Sequence, residues 1–400
     1  MPVVNPSVLR WARESAGLSL EEAATKIGLN AAHGMAGGGR LHALETTEGE
    51  VSRPVLLKMA KVYRRSLLVF FLDAPPACGH RGEDFRTVRE RHTSGEPLVA
   101  ALVRDIRARQ ALVRAVREDE DDAQALPFIG SMSPDDGAST VLDSIRRTLA
   151  LDLNVFRSAG SVEAGFAYLR ERVEAAGIYV LLIGNLGSHH SVVDVDAFRG
   201  FALADAVAPF VVINDQDAKS AWAFTLLHEV VHLWLGASGV SGQHFEGATE
   251  KFCNDVASEF LLPRAELASF SIGSGERTAI ALQITEFAQE RLLGRSLVAY
   301  RLFRAGLLGE RLWQEIDEAF AAEWARGRET KREQMRQADG GPNYYVVRRH
   351  RLGAALLDLV ARSVNEGLLT PTRAGKVLGV KPRNVHTLLS GATSRLVYGV

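Results

Sequence analysis

The residues of this chain best suited to chemistry form the pattern His-Glu-x-x-His, at His228, Glu229 and His232. On a helix, side chains four residues apart lie on one face, so both imidazoles can point at one metal ion. Glu229 follows the first histidine and is close enough to act as a general base on a water activated by that metal. The pattern therefore predicts a metal-dependent hydrolytic site with two histidine ligands.

A strongly apolar helix is predicted to carry this motif. Tryptophan, phenylalanine, leucine and valine fill most of the positions from 222 to 235 that the motif leaves open. A helix that is hydrophobic on all sides is buried, which suits a site that must control the access of water. Gly236 follows the run and is a natural point for the helix to end.

The next helix is predicted over residues 248–262. Phe252, Val256 and Phe260 recur every four positions, which is typical of one buried helix face. Pro263 follows and ends the helix. A helix placed here can bring one further side chain to the histidines.

Three glutamates are candidates for the third ligand. Glu250 is preferred because it lies on the helix that follows the motif. Glu246 lies in a glycine-rich loop that holds fixed geometry less well, and Glu259 is about two and a half helical turns away from Glu250. The alternative to a metal site is a pair of buried histidines that only serve the core.

These segments together resemble the ImmA/IrrE metallopeptidases. The resemblance rests on His-Glu-Val-Val-His from His228 and on Glu-Lys-Phe-Cys-Asn-Asp-Val-Ala-Ser-Glu-Phe-Leu-Leu-Pro from Glu250. The segments 198–201 and 209–215, which precede the motif, are also similar to that family. The resemblance covers roughly residues 160–310.

The resemblance implies both a metal site and a biological role. Zinc would be held by His228, His232 and Glu250, and Glu229 would be the catalytic base. The family's activity implies regulated cleavage of a repressor or an antitoxin in a stress or mobile-element response. The ligand set alone leaves the metal open, because two histidines and one carboxylate also suit iron, and manganese is not excluded.

The composition is that of an ordinary globular protein. The chain has 400 residues, of which 46% are hydrophobic and 24% charged, and a net charge of −1. Such a balance gives no global attraction to nucleic acid or membranes. Two distant cysteines, Cys78 and Cys253, favour a reducing cytosol over a disulfide scaffold. No signal-peptide pattern or membrane-length apolar run occurs, so a cytoplasmic protein is expected.

The first segment, residues 1–75, is predicted to be a helix-turn-helix bundle. Ser19 and Glu22 form a capping box at the start of a helix that ends at Gly28. The segments on either side, 11–19 and 54–65, resemble the XRE-type helix-turn-helix module. This bundle is therefore expected to bind DNA or a protein partner.

The recognition helix of this bundle is its weakest part. Residues 31–39 include four glycines, and each costs about 1 kcal/mol in a helix interior. Few side chains there could read a base edge. Lys26, Arg40 and His42 are the predicted DNA contacts, and a role in protein contact is the alternative.

A helical connector, 76–158, and a peptidase domain, 159–315, are predicted next. The peptidase domain should contain three strands, which are expected at 178–183, 198–203 and 210–214. A strand edge beside the metal helix could receive substrate as an added strand.

Two residues on a later helix of that domain are candidates to stabilise an oxyanion. They are Tyr300 and Arg301. A core tyrosine and a surface arginine are the preferred interpretations of these positions.

The last segment, 316–400, is predicted to be helical. An amphipathic helix covers 352–364, and Thr370 caps a further helix that ends at Gly379. Another helix starts after this glycine, which gives a second helix-turn-helix shape. Its basic side chains are available to phosphates: Arg373, Lys376, Lys381, Arg383 and His386. A helical hairpin that packs on the peptidase is the preferred interpretation.

The predicted fold class is α+β and mostly helical, with an N-terminal helix-turn-helix bundle, a gluzincin-like peptidase domain with a small sheet, and a C-terminal helical domain. The predicted function is that of a zinc-dependent endopeptidase with a protein substrate, with DNA as a second partner and no membrane. The competing hypothesis is a DNA-binding transcription regulator with a vestigial metal site. An intact Glu229 argues against it, because a structural site needs no base.

Overall fold

The chain forms two compact units, Met1–Ile106 and Arg107–Val400. The computed structural model describes residues 3–32, 34–47, 49–76, 95–120, 123–187, 191–241, 247–271, 276–337 and 343–390. Cys78 and Glu246 lie outside these residues. The described part is mostly helical with small sheets, as an α+β fold requires. None of its helices combines the length and the hydrophobicity that crossing a bilayer demands.

The first unit is a small helical bundle. Its elements are β1 (Val3–Val4), α1 (Pro6–Glu14), α2 (Leu20–Ile27), α3 (Gly37–Leu44), β2 (Gly49–Glu50), α4 (Arg53–Tyr63) and the start of α5 (Glu96–Asp119). Helix α2 begins at the predicted capping box, where the side chains of Ser19 and Glu22 each accept a backbone N–H of the other. It ends at Gly28, which adopts the left-handed conformation.

Helix α3 starts later than the glycine-rich segment 31–39 led us to expect. Ala32 and Met35 form a short bridge, and only Gly37–Leu44 is helical. Close packing explains one of these glycines, because a Cβ atom at Gly37 would lie 2.1 Å from the carbonyl oxygen of Leu29. Gly37 thus allows two segments to approach at the start of the helix rather than break its interior.

The second unit contains the predicted peptidase segment and the C-terminal helices. Its helices after α5 are α6 (Ala138–Leu149), α7 (Leu153–Arg157), α8 (Val162–Ala175), α9 (Lys219–Trp234), α10 (Ala248–Leu261), α11 (Arg264–Leu267), α12 (Arg277–Glu290), α13 (Arg295–Arg304), α14 (Glu310–Gln337), α15 (Tyr344–Leu352), α16 (Ala354–Asn365), α17 (Pro371–Leu378) and α18 (Val385–Leu389). Its strands are β3 (Tyr179–Leu182), β4 (Gly200–Leu203), β5 (Phe210–Ile213) and β6 (Gly239–Ser241).

The sheet of this unit has the strand order β3-β5-β4-β6. Strand β3 runs parallel to β5, and β4 runs antiparallel to both β5 and β6. The first three strands are those predicted from the sequence. Strand β6 was not predicted, because three residues are too few for a periodic pattern. Helix α9 packs on β4 and β5 and so lies against the middle of the sheet.

The C-terminal helices differ from the prediction at one point. The amphipathic pattern over 352–364 belongs to two helices, α15 and α16, with Gly353 between them at a φ of 80°. A Cβ atom at Gly353 would lie 2.0 Å from a carboxylate oxygen of Glu174. Glycine at the break therefore leaves room for a side chain on α8, which the local sequence does not reveal.

A buried ion pair attaches these helices to the peptidase segment. Arg170 on α8 donates to Glu174 at 2.9 Å and to the carbonyl oxygens of Val180 and His350. Glu174 also accepts the backbone N–H of Ala354, at 3.0 Å. The two side chains are only 9% and 8% exposed. The pair therefore connects α8, the start of the sheet and the α15–α16 break in one buried network.

Candidate metal centre

Helix α9 carries the His-Glu-x-x-His motif and is buried along most of its length. The turn before it is fixed by Asn214, whose side-chain nitrogen donates to the carbonyl oxygens of Val193 and Phe198. Gly236, at a φ of 67°, follows the end of the helix, as the sequence predicted. Packing of an all-apolar helix against a sheet, rather than helix caps, thus fixes the motif in place.

The two histidines and Glu250 converge on one point. The Nε2 atoms of His228 and His232 lie 3.1 Å apart. One Glu250 oxygen lies 3.1 Å from His228 Nε2, and the other lies 3.3 Å from His232 Nε2. Ligand atoms at zinc bond lengths in a tetrahedral site are about 3.3 Å apart. Among the described residues, the donor set therefore fits a zinc ion with a fourth position left open.

The surroundings of these three side chains favour the binding of a cation. His228 and His232 are 4% and 1% exposed, and Glu250 is largely covered in the first turn of α10. Burial raises the pKa of Glu250, but the hydrogen bonds and charges of the two histidines outweigh burial and lower it to about 2. The carboxylate therefore stays ionised at any pH at which the protein functions.

A thiol lies beside one of the ligand candidates. Cys253 is buried and close enough to the ring of His232 to interact with it electrostatically. Burial disfavours the charged imidazole, yet the contacts with Cys253 and Glu250 raise the pKa of His232 above its ordinary value. Burial also raises the pKa of the Cys253 thiol. A ligand imidazole must be neutral, so metal binding at a histidine with a raised pKa would release a proton.

The candidate base lies beside the cluster and is covered by the sheet. Glu229 is fully buried, next to Gly200 at the start of β4. A Cβ atom at Gly200 would lie 2.7 Å from a Glu229 oxygen and 2.7 Å from the methyl group of Thr225. Only glycine lets the strand approach the carboxylate this closely. Gly200 has no role among the predicted site residues, although an isolated glycine in a strand signals such a close approach.

Replacing Gly200 with alanine is therefore expected to displace the Glu229 carboxylate. A displacement of about 1 Å can lower a catalytic rate about 10²-fold, whereas the three ligand atoms would keep their positions. Peptide cleavage and zinc content, measured on the same preparation, test this expectation. Gly327→Ala is the control, because nothing lies within 4 Å of a Cβ atom there. Unchanged cleavage in Gly200→Ala would show that the close contact does not position the base.

The other residues considered for this site lie elsewhere. Glu259 pairs with Arg301, which is 7% exposed and also donates to the carbonyl oxygen of Leu262, so the expected surface arginine is buried. The Tyr300 hydroxyl donates to Asp255 at 3.3 Å, and burial together with Asp255 raises the pKa of Tyr300 to about 12. These contacts hold α13 against α10.

The predicted DNA contacts of the first unit have different surroundings. Lys26 and His42 are exposed on α2 and α3. Arg40 is half-buried and donates to the carbonyl oxygen of Asn30 at 2.7 Å. Arg40 therefore closes the turn between the two helices, which leaves two of the three predicted side chains fully exposed.

Comparison with known proteins supports the peptidase segment. Residues 174–303 match the family model Peptidase_M78, described as the IrrE N-terminal-like domain. The match includes β3 to β6, the motif helix and Glu250, and it supports a peptidase of the metallopeptidase type. No curated protein and no solved structure matches the chain.

Proposed function

We propose that this protein is a zinc-dependent endopeptidase of the His-Glu-x-x-His type. One observation carries the proposal: two imidazole nitrogens and one carboxylate converge at zinc-ligand spacing, and the buried Glu229 directly follows the first of the two histidines. A structural zinc site would normally have four protein ligands. Three ligands with an adjacent base are the arrangement of a catalytic site.

The residues of the site would have two roles in peptide hydrolysis, metal binding and proton transfer. Zinc held by His228, His232 and Glu250 would act as a Lewis acid and lower the pKa of water to about 7. The Glu229 carboxylate accepts a proton from the water whose oxygen bonds to the scissile carbonyl carbon. When the C–N bond breaks, Glu229 gives that proton to the departing amine. The buried position of Glu229 limits its exchange of protons with bulk water.

The sheet offers a way to hold an extended substrate. Strand β4 passes Glu229 at Gly200, but both of its edges are paired, to β5 and to β6. Among the strands in the described part of the chain, β6 is the outer one on this side of the sheet. We therefore place the added substrate strand on β6 rather than on β4, where backbone hydrogen bonds would align it.

The proposed substrate is a regulatory protein, a repressor or an antitoxin. This assignment rests on the resemblance to the ImmA/IrrE metallopeptidases and on the family match over 174–303. The first unit, with its XRE-like helices, would then bind the regulated DNA or the substrate protein. The competing function, a transcription regulator with a vestigial site, gives no reason for a buried Glu229 beside three ligands.

Metal analysis of purified protein is the experiment that tests the site. Wild-type protein is expected to contain about one zinc ion per chain, and His232→Ala is expected to contain none after dialysis, because two ligands hold zinc weakly. His42→Ala is the matched control, since His42 is exposed on α3. Wild-type protein that takes up no zinc, even after zinc is added, would contradict the proposal. If the wild-type protein contained one equivalent of iron or manganese instead, the identity of the metal would change but the proposed metal site would stand.

A further inference from the structure

Helix α17 and the turn after it have the same local structure as α2 and the turn that follows α2. A hydroxyl side chain caps each first helix, Ser19 for α2 and Thr370 for α17. Eight helical residues follow in both cases, and a glycine in the left-handed conformation ends each helix, Gly28 at φ 76° and Gly379 at φ 62°. The chain thus contains two copies of one helix–glycine–turn unit.

Both copies carry a small residue where the next segment crosses the helix. A Cβ atom at Gly375 would lie 2.8 Å from the carbonyl oxygen of Val380, just after the turn. Ala24 occupies the equivalent position in α2 and lies 3.4 Å from the Cβ position of Gly37 at the start of α3. A close crossing of two short helices is the feature that defines a helix-turn-helix motif. Helices α17 and α18, which contact each other across this tight turn, therefore have the shape of such a motif.

Helix α18 has one buried face and one polar face. Val385, Leu388 and Leu389 are buried, and α18 packs on α15. The opposite face of α18 holds His386 and Thr387, and Arg383 in the turn before α18 and Ser390 just after it are exposed as well. Their spacing of three, four and seven residues places them in one row. Arginine, histidine, threonine and serine are side chains that can hydrogen-bond to the edges of bases.

Positive charge is concentrated around this row. Residues 343–390 hold eight Lys and Arg against two Asp and Glu, whereas the whole chain has a net charge of −1. Four of these cations are exposed on α17 and the following turn, and they are Arg373, Lys376, Lys381 and Arg383. Within the described part of the chain, none of the four forms an ion pair. They are thus available to an external anion.

The arginines on α15 differ from the exposed basic residues, because they hydrogen-bond to backbone carbonyl oxygens within the protein. Arg348 donates to the carbonyl oxygens of Leu378 and Gly379 at the end of α17. Arg349 donates to those of Thr387 and Leu388 in α18. These two side chains hold the motif on α15. The basic residues of this segment therefore separate into a set that fixes the motif and a set that faces outward.

The N-terminal copy lacks these properties. Residues 1–75 hold nine Lys and Arg but also seven Asp and Glu. Gly39, exposed on α3, has no side chain, and Arg40 is engaged with the carbonyl oxygen of Asn30. His42 alone remains as an exposed ionisable side chain of α3. The C-terminal copy is the better candidate for contact with nucleic acid.

We propose that α17 and α18 bind duplex DNA, with α18 in the major groove. The groove is about 12 Å wide and admits one helix. Arg383, His386 and Thr387 would face the base edges, while Arg373, Lys376 and Lys381 would contact phosphates of the same site. The sequence favoured a hairpin that only packs on the peptidase, and the exposed row is what changes that interpretation. The proposal does not depend on the peptidase activity.

Fluorescence anisotropy of the full chain with a labelled duplex of mixed sequence tests this proposal. Wild-type protein is expected to bind in about 50 mM salt and to lose most of its affinity at about 200 mM. The double variant Lys381→Gln/Arg383→Gln should bind at least about tenfold more weakly at low salt. The slope of log K against log salt should become shallower by about one for each lost phosphate contact. Arg373→Gln/Lys376→Gln, on α17, should have the same effect.

The control is Lys58→Gln/Lys61→Gln, which removes the same charge from exposed positions of α4. It should bind like wild type, and thermal unfolding and zinc content should be unchanged in all three double variants. Three results would overturn the proposal. They are no binding by wild type at low salt, wild-type binding by both C-terminal variants, and equal affinity for single-stranded DNA of the same composition. Loss of binding in Lys26→Gln would instead place the contact in the first unit.

Discussion

Replacing Glu229 with glutamine is expected to lower peptide cleavage about 10²–10⁴-fold without loss of zinc. The amide has the shape of the carboxylate but cannot take a proton from water. The three ligand atoms belong to His228, His232 and Glu250, so metal binding should not change. Glu229 is fully buried, and a side chain of equal size avoids a cavity.

Cleavage can be measured on a peptide library by mass spectrometry, with zinc content determined on the same samples. Glu318→Gln, on the exposed face of α14, is the control for a lost carboxylate. If Glu229→Gln cleaves like wild type, the base is another group. If the variant loses zinc, Glu229 supports the ligands rather than the proton transfer.

Replacing Glu174 with alanine is expected to destabilise the second unit by about 3–5 kcal/mol. The substitution leaves the guanidinium of Arg170 buried without a counter-charge and removes the acceptor of the Ala354 backbone N–H. Removing one partner of a buried pair costs more than the pair itself contributes, because the remaining charge stays out of water. Unfolding in urea, followed by far-UV circular dichroism, measures the change.

An exposed ion pair in the same unit provides the comparison. Glu163 contacts Lys219 at 3.0 Å, and both side chains are more than half exposed. Glu163→Ala should change the free energy of unfolding by less than about 1 kcal/mol. Equal effects of the two substitutions would mean that the Arg170–Glu174 network does not hold the C-terminal helices in place.

The centre of the site could be predicted from the sequence because its geometry is local. His228 and His232 are four residues apart on one helix, and helical spacing alone places them on one face. Glu250 was preferred because a second periodic pattern with a proline stop marked its helix. The structure brings these three residues together. Glu246, one of the alternatives, lies outside the described residues.

Features that depend on distant parts of the chain could not be predicted in this way. The role of Gly200 requires knowing that β4 passes Glu229, a contact between residues far apart in sequence. Gly353 leaves room for the carboxylate of Glu174, and Gly37 leaves room for the carbonyl oxygen of Leu29. Glycine marks each of these positions. The sequence shows the glycine but not the neighbour that requires it.

The buried network around Arg170 also has a consequence for folding during translation. Its last partners lie near the C-terminal end of the chain and are therefore synthesised late. Translation produces the metal-ligand helices α9 and α10 well before His350 and Ala354, which supply the last partners of Arg170 and Glu174. Until those residues leave the ribosome, Arg170 lacks the carbonyl oxygen of His350 as an acceptor. Glu174 likewise lacks the backbone N–H of Ala354 as a donor. A nascent chain that stops after α10 would therefore carry all three metal ligands on an unfinished core. A chain truncated after α10 is therefore expected to be degraded by cellular proteases rather than to accumulate as a stable protein.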